Sequence, residues 1–280
     1  MKPTLFSLFF FSNVFLISAG PQCGRSEKEE KIVGGNEVGY YKYSWLATLR
    51  LQSNPKQLVC GGSLIGPKTV LTAAHCYKPF FKSVADGETT FEDVYIISLG
   101  GYNICIQEEN TQIFSAEKVI IHEKYEDGSP YYDIALIIID ETADDFTPIC
   151  LPEAGQTLPS DGTAVGFGKE ASSAYKLPCI MREVQLKISS DKECRDMLEK
   201  NGESGDKLVN AFCAGDLEGT KDTCQGDDGG PLQTRDEDGN YIVTGITSFG
   251  FGCGNKDTLG MYTYVANYTE WIEEKTSAEE

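Results

Sequence analysis

From residue 32 onward the chain breaks into short runs of β-branched, aromatic and aliphatic residues, each cut off by Gly, Asn, Asp or Pro. WLATLRL at 45–51, VYIISLG at 94–100, DIALIIID at 133–140 and YIVTGITSF at 241–249 are runs of this kind. Many short strands at close spacing build an all-β barrel or sandwich, because each run is long enough for a strand and too short for a stable helix. Two segments instead carry a helical pattern: DKECRDMLEK at 191–200, and NYTEWIEEK at 267–275 near the end. No internal repeat and no long low-complexity tract interrupts this texture.

The first twenty residues differ. Lys2 is followed by an apolar run over 5–17, broken by Ser7, Ser12 and Asn13, and then by Ser18, Ala19 and Gly20. This is the pattern of a secretory signal peptide, with cleavage expected after Ala19, giving a signal peptide over 1–19. The run is too short for a comfortable membrane span, and no later stretch is long and apolar enough. Residues 20–31 are polar, hold one cysteine and have too few apolar side chains to fold alone, so they read as a short propeptide or light chain. Residues 32–280 are left as one folded domain, and 40% hydrophobic residues supply its core.

Ten cysteines are an even number, and in a secreted chain they predict five disulfides. A structural zinc site is disfavoured, because no CxxC pair occurs and His75 and His122 are the only histidines. No metal and no cofactor is expected. The formal charge of −19 and pI near 4.5 set the surface against nucleic acid and anionic lipid, both of which need basic patches. Such a surface attracts cationic proteins or peptides, although most of these charges read as simple solubility.

Four segments carry chemistry. LTAAHC at 71–76 sets His75 beside a cysteine after a strand-like run. DIALI begins with Asp133, a carboxylate at the head of a very apolar strand, and a buried carboxylate needs a partner such as an imidazole. GDDGGP at 226–231 has glycines that allow a tight turn with backbone N–H groups pointing one way, which suits an anion hole. IVGG at 32–35 follows Lys31. In this order and spacing the sequence resembles the chymotrypsin/trypsin family of serine endopeptidases, from residue 32 to about 275. The resemblance implies two six-stranded antiparallel β-barrels with a C-terminal α-helix. The N-terminal barrel is expected over about 32–140, and the C-terminal barrel and helix over about 141–275.

The family order of catalytic residues is His, Asp, Ser. His75 and Asp133 match, and the third place falls on Asp228, because the family motif GDSGGP here reads GDDGGP. A serine hydroxyl attacks the scissile carbonyl and forms an acyl-enzyme. A carboxylate has no proton to surrender, and its attack would give a mixed anhydride. The tetrahedral adduct would then expel carboxylate, with a pKa near ~4, in preference to a far more basic amine. The carboxylate would also lie near the N–H groups of Gly226 and Asp228, the expected oxyanion hole. A sequence error or an engineered change at 228 is an alternative origin. A metal site of His75, Asp133 and Asp228 is disfavoured, since in the family the two neighbours approach opposite ring nitrogens of the histidine.

The resemblance also places Asp222, six residues before 228, at the floor of a pocket for Arg or Lys side chains, with Ser248, Gly250 and Gly260 around it and Phe249 in place of the usual tryptophan. It implies activation by a cut after Lys31, the freed amine of Ile32 pairing with Asp227. It implies the bridges Cys60–Cys76, Cys194–Cys213 and Cys224–Cys253, a tether Cys23–Cys150 that keeps a cleaved propeptide attached, and, by remainder between two neighbouring surface loops, Cys105–Cys179. The family's calcium loop looks absent, because Gly101 and Thr111 stand where acidic ligands are expected, and Glu108 and Glu109 alone make a poor site. Asn267-Tyr268-Thr269 reads either as a glycosylation sequon or, at Asn267, as the N-cap of the last helix.

The resulting reading is a secreted, catalytically inactive serine protease homolog. It is expected to act as a binding partner or cofactor in an extracellular proteolytic cascade, with basic protein or peptide segments, other proteases or zymogens as partners. Two rivals stay open: an active trypsin-like endopeptidase cleaving after Arg or Lys, if Asp228 is artefactual, and a venom or immune recognition protein.

Overall fold

The computed structural model describes residues 23–26, 42–106, 108–126 and 129–278. The expected signal peptide, Lys31 and Ile32 lie outside the described residues. The chain builds two closed six-stranded antiparallel barrels. The first comprises β1 (Leu46–Leu51), β2 (Asn54–Leu64), β3 (Thr69–Thr72), β4 (Tyr95–Leu99), β5 (Gln112–Ile121) and β6 (Ala135–Ile139), closed in the order β1-β2-β3-β6-β5-β4. The second comprises β7 (Asp161–Gly166), β8 (Arg182–Ile188), β9 (Ala211–Gly215), β10 (Pro231–Arg235), β11 (Tyr241–Phe249) and β12 (Gly260–Tyr264), closed as β10-β11-β12-β9-β8-β7. Among the described residues, three α-helices lie outside the barrels: α1 (Phe81–Ala85), α2 (Asp191–Lys200) and α3 (Thr269–Ser277).

Local chemistry explains the elements that matter for the site. All five residues of β6 are buried, so an unbroken apolar run suits a strand covered on both faces. β3 and β5 flank it, with Leu71 opposite Leu136 and Val119 opposite Ile137. α2 starts at a reciprocal cap in which the Ser190 hydroxyl accepts from the Glu193 N–H and the Glu193 carboxylate accepts from the Ser190 N–H. The barrels meet at Trp45, fully buried, whose indole N–H donates to Gln233 Oε1 at 2.9 Å.

α3 is held by aromatic and ionic contacts at once. The His122 ring stacks on Tyr132 and on Trp271, with centroids 4.8 and 5.0 Å away. Glu123 receives the Trp271 N–H at 3.0 Å and pairs with Lys275 at 2.6 Å. Asn267 does not cap this helix. The cap position is Tyr268, and Asn267 ends the preceding 3-10 turn, where its amide donates to Asn210 Oδ1 at 3.1 Å. The turn absorbs the residue that sequence reading had set at the helix start.

Five disulfides form: Cys23–Cys150, Cys60–Cys76, Cys105–Cys179, Cys194–Cys213 and Cys224–Cys253. Around Cys105–Cys179 the two surface loops also share backbone contacts, an Asn103–Ile180 bridge and a bond from Ile104 N–H to Cys179 O of 2.8 Å. The Glu108 carboxylate accepts the N–H groups of Tyr102 and Asn103 at 2.7 and 2.9 Å, so this loop is closed by its own side chain.

The N-terminal segment is fastened by more than sulfur. The Gly24 N–H donates to Pro148 O at 2.7 Å, and the Tyr241 N–H donates to Gly24 O at 2.8 Å. Gly24 has φ 67°, and a Cβ there would run into the Tyr241 backbone, so only glycine fits. Cutting the chain after Lys31 is expected to leave one band on a non-reducing gel and to release a small peptide on reduction. Release without reductant would contradict the bridge.

Candidate functional site

The site forms where the barrels face each other. His75 sits in a 3-10 turn, Ala74–Phe80, directly after β3. The Cys60–Cys76 bridge ties that turn to β2 across 16 residues, which stabilises it by roughly 3 kcal/mol in the loop-entropy picture. Asp133 precedes β6 and is 2% exposed. The residue before it, Tyr132, has φ 55°, a left-handed conformation that costs a non-glycine residue energy and swings Asp133 inward.

The Asp133 carboxylate is fully engaged. Oδ1 accepts the His75 backbone N–H at 2.8 Å. Oδ2 lies 2.8 Å from His75 Nδ1 and accepts the Ser248 hydroxyl at 2.5 Å. From the second barrel, Thr263 also donates to the Asp133 carbonyl at 2.8 Å. These bonds offset the cost of burying the charge and orient the ring so that Nε2 faces the cleft. There Nε2 meets Asp228 Oδ1 at 3.7 Å. The other oxygen, Oδ2, lies 3.4 Å from the Gly226 N–H. Gly226 has φ 103°, which lets its N–H turn inward. The oxyanion hole was expected at Gly226 and Asp228, with the Asp228 carboxylate near its N–H groups. The carboxylate does lie toward the Gly226 N–H, because the side chain is longer than serine's and reaches back into the space a hydroxyl would leave free.

Burial alone would hold the His75 ring neutral. The charge and hydrogen bond of Asp133, followed by the charge of Asp228, outweigh it and push the pKa up to about 9. The two carboxylates thus bias the ring toward the imidazolium, the form that cannot accept a proton as a general base. Burial raises the Asp228 pKa, opposed by His75 and by the Gly226 N–H. Burial likewise pushes Asp227 up to about 6, with smaller repulsion from Asp228 and Asp222.

Asp222 lines a narrow cavity of about 100 Å³ with Gly250, Gly260, Phe249 and Asp228. Its oxygens accept the Thr223 and Gly254 N–H groups, each at 2.9 Å, and burial raises its pKa. Gly260 leaves no side chain between the wall and this carboxylate, since a Cβ there would lie 3.2 Å from Asp222 Oδ1. Ser248 does not line this cavity. It lines the adjoining hollow beside His75 and spends its hydroxyl on Asp133. Asp227 points away from the cleft, accepting the Gly168 and Cys224 N–H groups at 2.7 and 3.0 Å. The proposed partner of Asp227, Ile32, lies outside the described residues.

Cys60, His75 and Cys76 cluster closely enough for a metal, but both sulfurs are spent in a disulfide. Asp133 and Asp228 lie at opposite ring nitrogens, so one ion cannot take both together with His75. Sequence reading missed Thr263 and Leu177. The Leu177 side chain packs over Gly226, where a Cβ would meet it at 2.9 Å. Thr263 was findable as an alternating position in β12, whereas no local signal marks Leu177.

Because the His75 pKa is raised above its unfolded value near 6.5, its pairing stabilises the fold fully below pH 6.5 and is lost as pH rises through about 9. Unfolding free energy is expected to fall by about 2–3 kcal/mol across that window, and His75→Gln is expected to remove this fall. Equal slopes in the two proteins would contradict the pairing.

The comparisons agree with this architecture. The family model described as Trypsin matches residues 32–272. The chain is 34% identical over 253 residues to trypsin II-P29 of Gallus gallus, covering 89% of this chain and 91% of that protein. It is also 34% identical over 252 residues to coagulation factor XI of Bos taurus, covering 88% of this chain and spanning 38% of that longer protein. With the two barrels and the matched span together, the chain belongs to the trypsin family.

Proposed function

We propose that this protein is a secreted serine protease homolog that binds basic segments of other proteins and does not cleave them. The observation that carries this reading is the Asp228 carboxylate, which faces His75 Nε2 at 3.7 Å and draws the Gly226 N–H at 3.4 Å. Three obstacles to peptide hydrolysis follow. Residue 228 offers no hydroxyl to deprotonate, and a tetrahedral adduct formed by carboxylate attack would expel the carboxylate again before the far more basic amine could leave to give an anhydride. A fixed negative charge lies where the oxyanion would develop. The same charge helps keep His75 protonated, so the base is withdrawn as well.

Binding chemistry, by contrast, is in place. Asp222 at the end of a glycine-walled cavity suits an Arg or Lys side chain, which pairs strongly with a partly buried carboxylate. A cut after Lys31 is expected to free the Ile32 amine to pair with buried Asp227, offsetting the cost of its charge. Five disulfides, and the fact that no helix among the described residues is long and apolar enough to cross a membrane, support an extracellular setting. A relative named as a coagulation factor supports a place beside proteolytic cascades.

The His75–Asp133 geometry favours one second reading, an active endopeptidase in a form of the chain carrying serine at 228. Asp228→Ser, cleaved after Lys31, is expected to hydrolyse Arg and Lys amide substrates while the cleaved parent stays at the buffer rate. Loss of the nucleophile in a serine protease of another fold costs about 10⁶ in turnover, so the gain is readily seen. A folded, cleaved Asp228→Ser protein without activity would show that the site departs from a protease beyond residue 228, and hydrolysis by the cleaved parent would overturn the binding reading.

A further inference from the structure

The Asp222 cavity has a second carboxylate in its lining. Asp228 lines the same cavity, so one ligand can reach both groups. An internal arginine lying in the cavity would bring its own carbonyl oxygen toward the N–H groups of Gly226 and Asp228. The Gly226 N–H already faces the Asp228 carboxylate, and the arriving carbonyl oxygen, itself partly negative, would meet negative oxygens there. A free C-terminal carboxylate would be repelled more strongly, and a free α-ammonium would be attracted.

Asp228 also has capacity for such a partner. Its contacts to His75 Nε2 and the Gly226 N–H, at 3.7 and 3.4 Å, exceed the 2.7–2.9 Å of a good charge-assisted bond. Two carboxylates, Asp133 and Asp228, flank the one His75 ring, and Asp222 adds a third carboxylate in the cavity that Asp228 also lines, so acidic groups outnumber the imidazole here. An extended arginine or lysine whose side chain reaches the floor leaves its α-carbon at the mouth. We propose that the cleft selects a free N-terminal arginine or lysine, with the side-chain cation on Asp222 and the α-ammonium on Asp228. The inference rests on the binding function above and names its ligand: the end of a chain newly exposed before a basic residue.

Calorimetry on the full protein, cleaved after Lys31, tests this with benzamidine, L-arginine amide, Nα-acetyl-L-arginine amide and Nα-acetyl-L-arginine. Arginine amide is expected to bind at least about tenfold more tightly than its acetylated form, the scale of one hydrogen bond between charged groups. Acetyl-arginine, with its carboxylate, is expected to bind most weakly. Asp228→Asn and Asp228→Ala, neither of which supplies a hydroxyl, should each bring the two amides to within about twofold while benzamidine still binds, which also reports a folded cavity. Equal affinities for the two amides in a parent that binds benzamidine would overturn this inference and leave the binding pocket standing. A preference that survives both Asp228 variants would overturn it too. No binding of benzamidine or of any arginine derivative would overturn the pocket along with it.

Discussion

The Asp133 carboxylate is where the two halves of the molecule are joined and where the cleft is organised. It sits at the end of the fully buried strand β6 and takes bonds from the first barrel, through His75, and from the second, through Ser248. Its carbonyl takes a further bond from Thr263. A charge this deeply buried is tolerated only when every bond is made, so a shift of one barrel against the other would leave it short of partners. The cleft geometry is thus tied to the packing of the barrels, with the Trp45–Gln233 bond as a second fixed point.

Around this junction, one side chain redirects the chemistry. Asp133 and Asp228 flank the His75 imidazole, Asp222 and Asp227 are buried nearby, and burial pushes Asp222, Asp227 and Asp228 toward the protonated form. Asp228 relieves part of its own cost by facing His75 and the inward-turned Gly226 N–H. In doing so it fills the space that peptide hydrolysis needs and leaves a negatively charged cleft. The scaffold for holding a basic side chain persists with the step after binding removed. Catalysis needs a neutral base, a deprotonatable nucleophile and an open anion hole together, whereas binding needs only the cavity and its charge.

Much of this was legible in the sequence because the signals are local. The runs at 94–100 and 241–249 fall on β4 and β11, since alternation and apolar content decide a strand where both faces are covered. The segment at 191–200 is α2, marked by its cap at Ser190. The segments around His75, Asp133, Asp222 and Asp228 could be picked out because each carries its own short motif. What could not be read is what depends on distant packing. The extra 3-10 turn at Val265–Asn267 displaced Asn267 from the helix cap, and Leu177 reaches Gly226 only through the path of its loop.

The account turns on residue 228 being unable to hold an acyl or phosphonyl group, and intact-protein mass spectrometry after treatment with a fluorophosphonate measures that directly. The Lys31-cleaved parent is expected to gain no stable adduct mass under conditions in which cleaved Asp228→Ser is labelled stoichiometrically at residue 228. A stable adduct within the cleft of the cleaved parent would contradict the account.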